Sequence, residues 1–412
     1  MKKNFPTVAV TWLAGSLLAV NPGCGQPTAI TTASGGHWVG TWGTSPQLTE
    51  TRNLPPAPGL TSNTLRQIVQ VSIGGHQLRA KFSNAFGTNP MTMSSVHIAL
   101  SAGGSAIKTA SDTALTFQGK PSATIPAGEI VVSDPFDFSL APLSDVAVTI
   151  DFGGTSAAVT GHPGSRTTSY LEAGDSVLAP DLPQAAKTEH WYILTGIDVA
   201  ANPSSAAVIT LGDSITDGRG SGTDKNDRWP DDLARRLQVD KNTADIAVLN
   251  EGIGGNCVLR GGLGPTALSR FNRDVLSQSG GRWLIVLEGV NDIGGSRSQA
   301  AAAAVATNLI AAYEQIIDQA HARNLRVYGA TLTPFGGSFY DRPGHEAARA
   351  TVNHWIRTGN KFDAVIDFDA VMRDPQNPSH LLPAADSGDH LHPNEAGYKI
   401  MADAIDPELF RK

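Results

Sequence analysis

Two cysteines, Cys24 and Cys257, are the only thiols in this 412-residue chain. A disulfide framework is therefore excluded, and processing that removed Cys24 would leave Cys257 without a partner, so a packed core must hold the fold. Cys257 itself reads as a small buried hydrophobe near candidate site residues. Basic clusters are also lacking: the formal net charge is −7, which argues against nucleic acid and acidic surfaces as partners. After the N-terminus no run reaches membrane-spanning length without charged or glycine-rich interruption. Before residue 200 there is no convincing helix of three turns. No histidine, cysteine or carboxylate set has a recognised metal-ligand spacing, and Gly252-Ile253-Gly254-Gly255 lacks the Lys-Ser/Thr of a phosphate-binding loop. No cofactor and no metal are expected.

What the chain does contain is turn-forming and apolar: 43 Gly, 25 Pro and 41% hydrophobic residues, a composition for a globular, loop-rich protein of two domains. Residues 1–24 read as an export signal, with Lys2 and Lys3 before the apolar stretch Phe5–Val20 and a stop at Asn21-Pro22-Gly23. Cleavage is expected between residues 20 and 36. Cys24 after small residues resembles a lipoprotein acylation site, though Val20, Asn21 and Pro22 fit that pattern poorly. The expectation is an exported protein, periplasmic or extracellular, with a lipid anchor at Cys24 as a variant of it. Residues 25–36 form a small, polar tether.

From His37 to residue 199 short β-rich runs alternate with Gly, Pro and Asn turns, which predicts an all-β accessory domain, a sandwich or jelly roll. Leu65–Val71 and Gln77–Phe82 partly alternate, and Ile73-Gly74-Gly75-His76 reads as a hairpin connection between them. Trp38, Trp42 and Trp191 are core or, alternatively, a platform for sugars. The loop Gly161–Tyr170 either narrows a cleft or is an irregular connection. Residues 200–205 (AANPSS) mark the boundary. Beyond it, strands at 206–211, 245–249, 283–288, 325–331 and 363–367 alternate with helices at 229–238, 267–277, 297–323, 344–358 and 394–405. That pattern is α/β, a parallel sheet covered on both faces.

Four polar segments stand at the ends of these elements: Gly212-Asp213-Ser214, Asn250 to Asn256, Gly289-Val290-Asn291-Asp292, and Asp389-His390-Leu391-His392-Pro393. The carboxyl ends of parallel strands share one edge, so segments distant in sequence can converge there. Together they contain the parts acyl transfer needs. Ser214 is a nucleophile, a histidine is its base, and Asp389 orients the imidazole. The N–H groups of Ser214 and Gly255 and the amide of Asn291 are donors to an oxyanion. Asp213 is read as ordering its turn and Asp292 as anchoring the loop after Asn291. His390, Phe339 and Arg219 are candidates for the substrate cleft.

From about residue 205 onward the chain resembles GDSL-type lipases/esterases of the SGNH hydrolase superfamily. Gly212-Asp213-Ser214-Ile215 matches the first block, with isoleucine where leucine is usual. Asn250, Gly252 and Gly255 match the second, Gly289, Asn291 and Asp292 the third, and Asp389 and His392 with Pro393 the last. The resemblance implies a three-layer, flavodoxin-like catalytic domain over 200–412 and selects His392 rather than His390 as the base. It implies Ser214, His392 and Asp389 as a catalytic triad, with Ser214, Gly255 and Asn291 as the oxyanion hole. The expected activity is serine ester hydrolysis through an acyl-enzyme, on a small ester or an esterified polysaccharide such as one carrying acetyl groups. A lysophospholipase or general arylesterase is the alternative. A carbohydrate-binding or cell-surface module with little or no hydrolysis is the alternative of another class.

Overall fold

All seven residues of the strand Ala206–Gly212 are buried, as a central strand covered on both faces requires. In the computed structural model, which describes residues 36–411, this strand pairs in parallel with Ile246–Gly252 on one side and with Gly281–Leu287 on the other. Arg326–Ala330 and then Ala364–Ile366 continue the sheet outward. Numbered along the chain, the five strands lie in the order 2-1-3-4-5, the flavodoxin-like doubly wound arrangement. The order reverses at the first strand. Its carboxyl end, with those of its two neighbours, borders the crevice where such sheets bind ligands.

The helices that cover the sheet follow the sequence periodicity closely. Trp229–Val239 packs on Glu395–Asp403, and Gln299–His321 packs on His345–Thr358. Ala302, Ala306, Leu309, Ala312, Ile316 and Ala320 form the buried stripe of Gln299–His321. By length and composition alone this helix could cross a membrane, but it is interrupted by Glu314 and Asp318, as expected of every later run, and in the structure its stripe is packed in the core. Two local expectations also change. The helix expected over 267–277 is α-helical only over Ala267–Phe271 and continues as a π-helical turn, Asn272–Leu276. The last helix, expected over 394–405, runs over Glu395–Asp403 and is capped by Asn394, whose side chain accepts the Gly397 N–H.

Residues 37–201 build two larger antiparallel sheets and a three-stranded one of Gln47–Leu48, Thr160–His162 and Trp191–Tyr192. One contains His37–Gly43, Leu194–Ala201, Gly75–Ser83 and Phe136–Leu140, with Ile130–Val132 paired to it. The other is built on Asn63–Gln70, Met91–Gly103, Asp145–Phe152 and Ser169–Ala173. The sequence suggested a hairpin at Gly74-Gly75, but Asn63–Gln70 and Gly75–Ser83 lie in different sheets, and the glycines carry the chain between them. A Cβ at Gly74 would lie 2.3 Å from the Leu140 carbonyl oxygen, so glycine is needed there for close approach of another segment. Trp42 and Trp191 are buried and meet edge to face with centroids 5.0 Å apart, which makes them core side chains.

The described residues form one compact unit, and the all-β region grips the parallel sheet through specific contacts. The Gly40 N–H donates to the Ser279 carbonyl (2.9 Å) and the Val248 N–H donates to Ser72 Oγ (3.1 Å). A Cβ at Gly40 would stand 2.9 Å from Leu249, so that strand lies close against the edge strand of the parallel sheet. The proposed export signal, its cleavage site, Cys24 and all but the last residue of the tether lie outside the described residues.

Candidate active site

The turn after Ala206–Gly212 is shaped by side chains that leave no room elsewhere. A Cβ at Gly212 would sit 2.1 Å from Thr216 Oγ1. Asp213 caps the short helix Ser214–Asp217 by accepting the Ile215 N–H (2.9 Å), which is the ordering role its sequence position indicated. Ser214 is the first residue of that helix, so its N–H has no intrahelical acceptor.

Ser214 Oγ lies 2.8 Å from His392 Nε2, and His392 Nδ1 lies 2.7 Å from Asp389 Oδ2. An ionised carboxylate only accepts, so Nδ1 carries the proton and Nε2 is free to accept from the serine hydroxyl. Burial is the largest influence on His392 and holds its proton affinity below the usual histidine range, outweighing the Asp389 hydrogen bond and charge. Burial would raise Asp389, but the backbone N–H of His392, its ring and the Leu391 N–H bring that carboxyl down to about 2. The three groups are thus a serine, a neutral imidazole and a carboxylate in hydrogen-bonded sequence.

Gly255 and Asn291 line the same cleft as Ser214 and His392, a space of about 440 Å³. Gly255 has φ 71°, in the left-handed region, and its N–H makes no hydrogen bond among the described residues. The orientation of Asn291 is set at both ends. Its Nδ2 donates to the Asn256 carbonyl (2.8 Å), which identifies the nitrogen, and the Tyr340 hydroxyl donates to its Oδ1 (2.9 Å). Tyr340 is held in turn by His345, whose Nδ1 donates to the Tyr340 carbonyl (2.7 Å) while Nε2 accepts from Ser296 Oγ (2.7 Å). Asp292 does not anchor the loop after Asn291, as its position suggested. Its carboxylate accepts the N–H groups of Val258 and Leu259 (2.8 and 3.0 Å) and so fixes the segment that follows Gly255.

Of the three cleft candidates, Phe339 and Arg219 line the space and His390 does not. His390 is exposed and its Nδ1 pairs with Asp386 Oδ2 at 2.6 Å, one residue's reversal away from the buried His392. Its φ of 61° turns the chain so that His390 and His392 face different surroundings. Cys257 is buried, and burial together with the Asp292 charge pushes its thiol well above the ordinary range, as an inert core side chain requires. Among the described residues no group of three or more His, Cys, Asp or Glu side chains is placed to hold a metal ion.

Sequence reasoning missed the supports beneath these residues. Arg270 is fully buried and donates to the carbonyls of Gly212 (3.0 Å) and Glu251 (2.6 Å), to Asn256 Oδ1 (3.0 Å) and to Ser45 Oγ (2.8 Å). It therefore joins the turn that carries Ser214, the segment around Gly255 and the all-β region. Around it burial pushes Asp213 up to about 7 and Glu251 up to about 8, and it raises Glu288 well above its ordinary value. Behind the helix Ser214–Asp217, His162 bridges the Ser45 carbonyl (2.9 Å) and Asp217 Oδ1 (2.8 Å). A Cβ at Gly164 would overlap Asp217 at 1.9 Å. Pro163, Gly164 and Arg166 line the cleft, so the loop Gly161–Tyr170 does narrow it. The one sequence signal for Arg270 was its i, i+4 spacing to Asp274.

The model of the GDSL-like Lipase/Acylhydrolase family matches residues 210–400. Solved structures similar to this chain include the lipase/acylhydrolase from Enterococcus faecalis, at 20% identity, covering 50% of this chain and 95% of that one, TM-score 0.38. An acetylxylan esterase from Geobacillus stearothermophilus, solved as a catalytic mutant, is 21% identical over 51% of this chain and 96% of its own, TM-score 0.39. A member of the lipolytic protein G-D-S-L family from Veillonella parvula is 19% identical over 48% and 96%, TM-score 0.36. No curated protein sequence matches the chain.

Proposed function

We propose that this chain, a carboxylic ester hydrolase whose residues 210–400 belong to the GDSL-like lipase/acylhydrolase family of SGNH hydrolases, cleaves short acyl esters of polar alcohols, acetylated polysaccharide among them, through an acyl-enzyme. The observation that carries this reading is the hydrogen-bonded chain Ser214–His392–Asp389 in a cleft that also contains Gly255 and Asn291.

In the proposed cycle His392 Nε2 takes the Ser214 proton as Oγ bonds to the ester carbonyl carbon. The carbonyl oxygen gains negative charge, which the N–H groups of Ser214 and Gly255 and the Nδ2–H of Asn291 stabilise. Collapse breaks the bond to the alcohol oxygen, which leaves with the proton held by His392. Water then attacks the acyl-enzyme, His392 takes its proton, and the acid departs with Ser214 reprotonated. Asp389 holds the imidazole in its tautomer and stabilises its charged form throughout.

Polar residues of the all-β region (Gln47, Arg52, Asn53 and Arg166) border this cleft. They favour a hydrophilic alcohol portion over a long acyl chain and give residues 37–199 the role of completing the cleft. The reading of those residues as a sugar-stacking module loses support because Trp42 and Trp191 are buried.

The test is turnover of acetylated xylan, acyl esters of graded length and lysophospholipid by the parent and by Ser214→Ala. We expect acetyl esters to be turned over fastest by the parent and turnover to fall by orders of magnitude in Ser214→Ala. A fluorophosphonate should label Ser214. Retention of ester hydrolysis by Ser214→Ala would overturn the assignment. His392→Ala should abolish turnover and His390→Ala should not.

A further inference from the structure

Arginines in this protein's interior are almost all engaged. Arg66 donates to Thr149 and two carbonyls, Arg228 pairs with Asp231, Arg270 makes the contacts described above, and Arg349 pairs with Glu346 and Asp369. Arg166 is different. It lines the catalytic cleft, its Nε is buried without a partner, and its side chain makes no hydrogen bond or ion pair among the described residues. A guanidinium N–H taken from water and left unpartnered is unfavourable unless something else meets it there.

The backbone reinforces this placement. Arg166 has φ 52°, a left-handed conformation that a side chain with a Cβ disfavours. The loop is clamped in that state by the segment following the nucleophile helix. The Asp224 N–H donates to the Arg166 carbonyl (2.9 Å), and the Asp224 carboxylate accepts from Thr168 N–H (2.6 Å) and Thr168 Oγ1 (2.7 Å). Non-glycine residues held in sparse backbone regions occur where function needs a side chain in one place.

We propose that Arg166, with Arg219 and Arg52 on the same cleft, forms an anion subsite that takes an ester whose alcohol portion carries a carboxylate or a phosphate. This rests on the reading of Ser214 and His392 as the acyl-transfer pair. Arg166 and Arg219 line the same cleft as His392, the group that protonates the departing alkoxide, and the proposed subsite therefore takes the alcohol portion of the ester. Arg219 Nε stands 4.0 Å from Asp389 Oδ2 with most of its side chain exposed, so the pair is weak and the guanidinium can turn toward a ligand. The acidic side chains of the cleft have partners of their own, although Asp217 Oδ2 is buried without one. Glu50 accepts from Gln47 Nε2 (2.7 Å) and Asn53 Nδ2 (2.9 Å), and Asp217 faces His162. Guanidinium forks bind carboxylate and phosphate oxygens in pairs, which gives such a site both strength and orientation.

The test uses matched acetyl esters and the full chain: glycerol against glycerol 3-phosphate, and methyl glucoside against methyl glucuronoside. The parent should turn over the charged member of at least one pair with higher kcat/KM than its neutral counterpart, and added salt should reduce that preference. A preference in the phosphate pair alone identifies a phosphate-bearing alcohol, and in the uronate pair alone an acidic sugar. In Arg166→Gln the charged-to-neutral ratio should fall by about tenfold or more, the loss expected for a hydrogen bond to an ionised group. Arg166→Lys should restore part of it. Arg219→Gln, an exposed position, should lower the ratio as well and serves if Arg166→Gln does not fold. Equal rates within both pairs for the parent would overturn the subsite, as would equal losses on charged and neutral esters in Arg166→Gln. Hydrolysis of the neutral glycerol ester that survived Ser214→Ala would instead overturn the hydrolytic assignment.

Discussion

Removing one oxygen atom, in Tyr340→Phe, tests whether the proposed oxyanion donor, the Asn291 amide, is held from behind. The Tyr340 hydroxyl donates to Asn291 Oδ1 at 2.9 Å, and Asn291 is buried, so no water readily replaces that donor. The other amide end stays bonded to the Asn256 carbonyl, which leaves Asn291 pinned at one point and able to swing. Two magnitudes bound the effect. Losing an oxyanion donor outright costs about 10²–10³ in kcat, whereas an unsatisfied buried polar group costs about 1–3 kcal/mol. Tyr340 acts only through Asn291, so the expected loss is about tenfold in kcat, close to 1.4 kcal/mol, with KM nearly unchanged because the interaction strengthens as charge develops. The assay is steady-state hydrolysis of a short aryl ester by the parent, Tyr340→Phe, Asn291→Ala and the double variant. If Tyr340 works through Asn291, the double variant should match Asn291→Ala alone. Losses that multiply, or a change confined to KM, would refute the reasoning.

Two further outcomes follow from the same geometry. The base must be neutral, and burial holds His392 below its ordinary 6.5, so kcat/KM should rise with pH through an inflection below that value. Asp389, held at about 2, should add no second inflection above pH 4. An acid limb centred above 6.5 would contradict this, and Arg219→Gln, which removes an opposing charge, should move the limb upward. Replacing Arg270 with Met should leave buried Glu288 without its cation and take one donor from Asp274 and from the Gly212 and Glu251 carbonyls, costing about 3–5 kcal/mol of stability by denaturant unfolding; a melt like the parent's would refute its role as the tie between these segments.

How much of this could be read along the chain depended on whether the controlling interaction was local. Apolar runs ending in Gly-Asp-Ser, Gly-Val-Asn and the Asp389–His392 segment announce strand or helix ends through periodicity and turn chemistry. Those features depend on neighbouring residues, and the structure brings all three segments to one cleft. The Gly74-Gly75 connection was misread for the complementary reason. Two glycines between apolar runs fit a hairpin, but the partners of those strands are remote segments, 145–152 and 194–201 among them. Asp292 likewise acts on residues 258 and 259, which sequence position could not reveal.

Sequence by itself determined the α/β class and the strand-end positions of Ser214, Gly255 and Asn291, because each rests on short-range pattern and on the shared edge of a parallel sheet, while the choice of His392 over His390 as the partner of Asp389 came from the family resemblance. Tertiary structure decided which side chains hold that constellation and what borders it. Arg270 reaches Ser45 from 225 residues away, Tyr340 reaches Asn291 across 49, and Arg166 enters the cleft from the all-β region. Such contacts depend on how remote backbones pack, and no periodicity in the chain records that.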